Sequence, residues 1–201
     1  THLICYIVST YKITRVYMKK ILIGTHNKGK FKEISYLISK KYKKISPISL
    51  KIKSPKETGK TFIANSRLKV KFFSKYVDYP VISDDSGLCI KALNNKPGIY
   101  SARLAKRHGS FSKAMKFILK KMQTKKNRSA FFICSLSYYD ENGKITSVEG
   151  KLKGNISMKI RGTNGFGYDP IFIPLKKRKT FSEMKPSQKY KMDHRYQAFK
   201  K

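Results

Sequence analysis

The segment Val81-Ile82-Ser83-Asp84-Asp85-Ser86-Gly87-Leu88 sets two carboxylates side by side at what reads as the end of a buried strand. Val81 and Ile82 supply the apolar run, and Ser86-Gly87 is expected to break it. The chain holds 11 acidic residues against 46 basic ones, so the pair does not come from background composition. Two carboxylates in such a place do not both stay ionised without a cation. A divalent metal with oxygen ligands, Mg²⁺ beside a bound phosphate, satisfies that demand. The alternative is an Asx-type turn in which one Asp bonds a backbone N–H.

Around this segment, apolar runs and helical periodicities alternate. Residues 20–24 read as a buried strand, 25–29 as a polar loop, and 30–41 as a helix with Phe31, Ile34, Leu37 and Ile38 on one face. A second helix is expected over 61–76, strands over 80–83 and 88–93, and a helix over 111–122. Strands 130–139 and 145–152 flank Asp140-Glu141-Asn142-Gly143, a hairpin turn. A short strand over 170–173 and one terminal helix over 187–199 complete a mixed-sheet α/β domain. Residues 1–17, which precede Met18, are expected to be an extension outside the working domain of 18–201.

The 201 residues, 40% of them apolar, suffice for one globular domain, and no run approaches the ~20 apolar residues of a membrane span. The formal charge of +35 invites a nucleic-acid reading. Lysine, however, is spread along every segment instead of gathering in one stripe, as compositional drift would leave it. A polyphosphate substrate would still be drawn inward. Cys5, Cys89 and Cys134 form no Cys-x-x-Cys and do not pair with the four histidines at zinc spacing, so a reducing, cytoplasmic compartment is expected.

Four further segments carry candidate chemistry. Thr25-His26-Asn27-Lys28-Gly29-Lys30 runs from the first strand onto a helix, where backbone N–H groups make an anion site; an ordinary βα turn is the alternative. Glu57-Thr58-Gly59-Lys60-Thr61-Phe62 holds another rare acid, with Asn65 one turn on and Thr58 or Thr61 as helix cap. If Glu57 converges on Asp84 and Asp85, three carboxylates form an Mg²⁺ site. In the glycine-rich Gly165-Phe166-Gly167-Tyr168-Asp169-Pro170, Phe166 can stack on a nucleobase or pack in the core. Lys189 and His194-Arg195 lie on the predicted last helix, and His194 and Arg195 are donors suited to a purine carbonyl.

Taken in order, these segments, with Pro97-Gly98-Ile99-Tyr100-Ser101-Ala102-Arg103, resemble the inosine triphosphate pyrophosphatase family of Ham1 type. The resemblance runs from about residue 19 to 198. It implies an elongated mixed β-sheet with flanking helices in two lobes and the active site in the cleft between them. It implies Mg²⁺-dependent cleavage of ITP, dITP and XTP to the monophosphate and pyrophosphate, by a homodimer. Asp85 would be general base and metal ligand, with Glu57 and Asp84 completing the metal and water network. Thr25, His26, Asn27, Lys28, Gly29 and Lys30 would hold the triphosphate, and Ser86 would touch the nucleotide. Phe166 would stack on the base; Gly167, Tyr168, Asp169, Lys189, His194 and Arg195 would surround or read it.

Two departures from the family pattern stand out. Asp193 occupies the place of a usual Ser or Thr, and its charge is expected to raise the proton affinity of His194. His26 replaces a small residue, which suggests a looser loop. The competing readings are a Maf-type nucleotide pyrophosphatase, a basic nucleic-acid-binding module, and an inactive relative.

Overall fold

The computed structural model describes residues 18–201; the expected 1–17 extension and Cys5 lie outside the described residues. Seven strands form one mixed sheet, ordered β2-β1-β3-β5-β6-β7, with β4 paired to β3. They are β1 (Lys19–Ile23), β2 (Tyr42–Ile45), β3 (Val81–Ile90), β4 (Lys96–Pro97), β5 (Ser129–Tyr139), β6 (Ile145–Ile156) and β7 (Phe172–Pro174). β2, β1 and β3 run parallel, and the remaining pairings are antiparallel.

Parallel neighbours require crossovers, and two helices supply them. Helix α1 (Lys28–Leu37) links β1 to β2, and α2 (Phe62–Phe73) lies between β2 and β3. Ile34 of α1 packs with Ile21, Ile23 and Ile82 on one face. Val70 and Phe73 of α2 pack with Leu22 and Val81 on the other. The chain therefore reverses direction across the sheet between β1 and β3, and such a switch point opens a crevice at the strand ends. A second core, with Leu88, Ile118, Phe132, Phe172 and Phe181, fills the other half of the molecule beneath α3 (Ser101–Arg107) and α4 (Phe111–Lys121). Among the described residues, no helix is long and apolar enough to cross a membrane.

Local chemistry accounts for most element ends. Asn27 Oδ1 accepts the Lys30 N–H at 3.0 Å and starts α1; Thr61, not Thr58, caps α2 by accepting from Ala64 at 3.0 Å. The hairpin turns where expected, with Asp140 Oδ1 accepting from the N–H groups of Asn142 and Lys144. Three expectations need correction. Ser86-Gly87 does not break a strand: β3 continues through it, because β5 pairs with it residue for residue from Val81↔Tyr139 to Ile90↔Ala130. Gly87 serves close approach instead, since a Cβ there would fall 2.2 Å from the Gly98 carbonyl oxygen. The terminal helix is two short ones, α5 (Pro186–Lys189) and α6 (His194–Phe199), split where Asp193 Oδ1 accepts from Tyr196 N–H and begins α6 afresh. The short strand expected over 170–173 is a 3₁₀ turn at Asp169–Ile171 leading into β7.

Candidate active site

Because β3 is continuous, its side chains alternate between faces, and Asp84 and Asp85 point opposite ways. Asp84, fully buried, meets α1 and α6. Its Oδ2 accepts from Lys30 Nζ at 3.1 Å, Arg195 Nη2 at 3.0 Å and Ser86 Oγ at 3.0 Å. Against the cost of burial, Lys30, Arg195 and Lys69 hold its carboxyl well below the usual range. Its Oδ1 has no partner among the described residues. Asp85 meets α2: Asn65 Nδ2 donates to Oδ2 at 2.9 Å and the Ser86 N–H to Oδ1 at 2.9 Å. Burial raises its pKa.

The ammonium of Lys69, buried on α2, lies 2.8 Å from Glu57 Oε1 and 4.0 Å from Asp85 Oδ1. Nothing in the sequence singled out Lys69 among so many lysines; its position two turns beyond Thr61, on the face of α2 that carries Asn65, is the signal that was available. Glu57 and Asp85 thus surround one cationic point, while Asp84 does not join them. Among the described residues, no three His, Cys, Asp or Glu side chains are disposed to hold a metal ion. A pair of carboxylates does fit Mg²⁺, which keeps several waters and takes one or two protein carboxylates plus substrate phosphate. Two acids sharing one ammonium also leave a formal negative charge there.

Asn27 and Lys30, at the N-terminus of α1, line the same cleft as Glu57, Asp85, Ser86, Phe166, Gly167, Tyr168, Asp169, His194 and Arg195. The other residues of that first loop face elsewhere. His26 ties the loop outward through a 2.9 Å contact of Nε2 with the Ile52 carbonyl, and its ring stacks on Phe73. Thr25 is buried and accepts the Asn27 N–H, while Lys28 is exposed. Gly29 is where Phe166 rests: a Cβ there would stand 2.3 Å from the ring. Phe166 is half-buried with Lys189 Nζ 4.7 Å from its centroid. Tyr168 is buried and its hydroxyl donates to the Ser101 carbonyl at 2.8 Å. Arg103 donates to the Glu57 carbonyl, linking the Pro97–Arg103 stretch to the Glu57 loop.

Behind Phe166 runs a buried chain of alternating charge. Asp169 pairs with Lys189, Lys189 with Glu33, Glu33 Oε2 with Arg195 Nη1 at 2.7 Å, and Arg195 with Asp84. Three carboxylates and the three cations Lys189, Arg195 and Lys30 balance, which is what permits burial. Glu33 was not singled out in the sequence; an acid one turn beyond Lys30, on the apolar side of a lysine-rich helix, is its signal. His194 stacks on Phe132 with ring centroids 4.7 Å apart. Burial, then Arg195 and Lys189, lower its pKa well below the usual value, opposite to the expected effect of Asp193. Asp193 caps α6 instead, and it is the Asp193 carboxyl that burial and Glu33 push up to about 7.

The protein-family model described as "Ham1 family" matches residues 21–201. The chain belongs to the Ham1 family. A relative from Borrelia duttonii, named dITP/XTP pyrophosphatase, is 43% identical over 92% of this chain and 95% of that protein. One of the same name from Caulobacter vibrioides is 39% identical over 90% and 95%. Among solved structures, the Staphylococcus aureus Ham1 protein superposes with a TM-score of 0.79 at 35% identity, covering 90% of this chain and 95% of that one. A HAM1 protein from Coxiella burnetii gives 0.80 at 32% identity, covering 91% and 95%. The mixed α/β sheet read from the sequence is thus the Ham1 fold. The matches support neither a Maf-type enzyme nor a nucleic-acid-binding module.

Proposed function

We propose that this chain hydrolyses non-standard purine nucleoside triphosphates (ITP, dITP and XTP) to the monophosphate and pyrophosphate, removing them from the nucleotide pool. The observation that carries the reading is the cleft itself. It sets Asp85, Glu57, Lys30 and Lys69 at one end and Phe166 with the buried His194–Arg195 pair at the other. The names of the relatives point to the same substrates.

Water attacks the α-phosphorus, a P–O bond to water forms, the bond to the bridging oxygen breaks, and pyrophosphate leaves. Asp85 orients that water and takes its proton on a carboxylate oxygen. Lys30 and the N-terminus of α1 face the triphosphate, and Lys69 neutralises charge beside Asp85 and Glu57. Asp85 and Glu57 would hold Mg²⁺, which supplies further neutralisation of the phosphate oxygens when bound. Asp84 acts from behind, holding Lys30 and Arg195.

Phe166 stacks on the base. Arg195 can only donate, so the imidazole nitrogen it approaches, His194 Nε2 at 3.1 Å, is the acceptor, and the proton sits on Nδ1. That Nδ1 has no partner among the described residues and is the free donor for a 6-oxo group. Adenine offers an amino group there, and a donor facing a donor is left unpaired. A homodimer and a cytoplasmic location belong to the same proposal.

The test is pyrophosphate release with Mg²⁺ across ITP, dITP, XTP, ATP, GTP and dTTP. The 6-oxo non-standard purines should be preferred, and Asp85→Asn should fold normally with turnover at least ~10²-fold lower. No release from any substrate, or an Asp85→Asn enzyme of near-normal rate, counts against the reading.

A further inference from the structure

Asn65 takes no part in the scheme above and is fully buried in the first turns of α2. Its carboxamide faces two elements at once. Oδ1 accepts the Gly59 N–H at 2.8 Å, and Nδ2 donates to Asp85 Oδ2 at 2.9 Å. The orientation is forced: a backbone N–H only donates, so the amide oxygen must face Gly59 and the NH₂ must face the carboxylate. Gly59 follows Glu57 by two residues in the same loop, and it lies so close that a Cβ would fall 2.6 Å from Oδ1. Glu57 and Asp85, the two carboxylates around the shared cationic point, come from different elements. Asn65 bridges the loop of one to the side chain of the other.

We propose that Asn65 is a positioning residue that sets the spacing of Glu57 and Asp85 and so builds the divalent-metal site. The proposal rests on the nucleotide-pyrophosphatase reading for its substrate but not for its metal. With one carboxylate oxygen held by Asn65 and the other by the Ser86 N–H, the Asp85 carboxylate is fixed in plane, leaving further lone pairs for a ligand. Other side chains fail for stated reasons. Aspartate opposes Asp85 with a second carboxylate, and serine is too short to reach both partners. Leucine leaves the Gly59 N–H and a carboxylate oxygen unpaired in a dry place.

The test compares wild type, Asn65→Ala and Ser66→Ala. Ser66 is the adjacent buried residue, bonded to Ser137 and the Ile63 carbonyl and to neither Glu57 nor Asp85, and serves as the control for general damage to α2. Mg²⁺ binding without nucleotide is measured by calorimetry, alongside kcat, KM for dITP, the half-activating Mg²⁺ concentration and Tm. Asn65→Ala should weaken Mg²⁺ binding by about 10–100-fold, with a matching rise in half-activating Mg²⁺ and a fall in kcat. KM for dITP at saturating Mg²⁺ should stay within about threefold. Ser66→Ala should lower Tm while leaving Mg²⁺ binding unchanged. If Asn65→Ala does not fold, Asn65→Ser carries the same expectations.

Mg²⁺ affinity and kcat within about twofold of wild type in the folded variant would overturn the proposal. A wild type that binds Mg²⁺ in an Asn65-dependent way but cleaves no nucleotide would sink the substrate reading and leave the metal-site role standing. A wild type that does neither would remove both.

Discussion

The guanidinium of Arg195 is wrapped by acids, Glu33 on one side and Asp84 with Ser86 on the other. Its terminal nitrogens are committed to Glu33, His194, Asp84 and Ser86, so in the proposed function, reading the base falls to His194. Beside it, Asp193 performs the capping job of Ser or Thr with a charge attached. Buried, with Oδ2 unpartnered among the described residues, its carboxyl has a pKa of about 7 in the fold against 3.8 as the ordinary value. The folded protein therefore keeps a proton that the unfolded chain releases. The contribution of Asp193 to stability falls as pH rises from about 4 through about 7, then levels off. Asparagine caps equally well without the charge. Asp193→Asn should raise stability by about 4 kcal/mol at pH 8 and by nothing near pH 4, read from urea unfolding at both. A pH-independent difference would show that the carboxyl is not the titrating group.

At the scale of elements, the turn from β1 into α1 depends on bare glycine where Phe166 descends on it. Gly29→Ala adds a good helix former to α1 yet drives a methyl into the ring. The variant should fold, with KM for ITP raised about tenfold through lost base stacking and kcat within about twofold. Unchanged KM would mean that Phe166 leaves this position when nucleotide binds. Much at this scale was legible from the chain. The run of Ile21-Leu22-Ile23, the Thr61 cap and the Asp140–Gly143 hairpin rest on local chemistry and stand close to where they were read. The charged edge strand Tyr42–Ile45 and helix α3 carried no apolar period and were missed. The continuity of β3 through Ser86-Gly87 was also missed, since only pairing to β5 makes it a strand there.

For the whole molecule, the formal charge is +35, and the proposed substrate is a polyphosphate. A field of that size steers anions to the surface and is screened over about 8 Å at physiological salt. kcat/KM for ITP should fall about tenfold between roughly 20 and 300 mM NaCl while kcat stays flat, as expected for encounter rather than chemistry. A matching fall in kcat would place the salt effect in the site itself. The cleft holds about 90 Å³, well under the roughly 300–1,000 Å³ of small-molecule pockets.

The sequence by itself determined the class of chemistry: rare acids in a lysine-rich chain mark where charge is needed, and six short segments in order identify the family. It also placed the Asp140–Gly143 turn, whose cause lies within a few residues. The tertiary structure decided which acids act together. Neighbours along a strand point to opposite faces, so Asp85 pairs with the distant Glu57 through Lys69 and Asn65, while Asp84 goes to Arg195, 111 residues away. Glu33, Lys69 and Asn65 gain their roles only from that convergence, because burial strips water from them and each must then find its partner across the sheet.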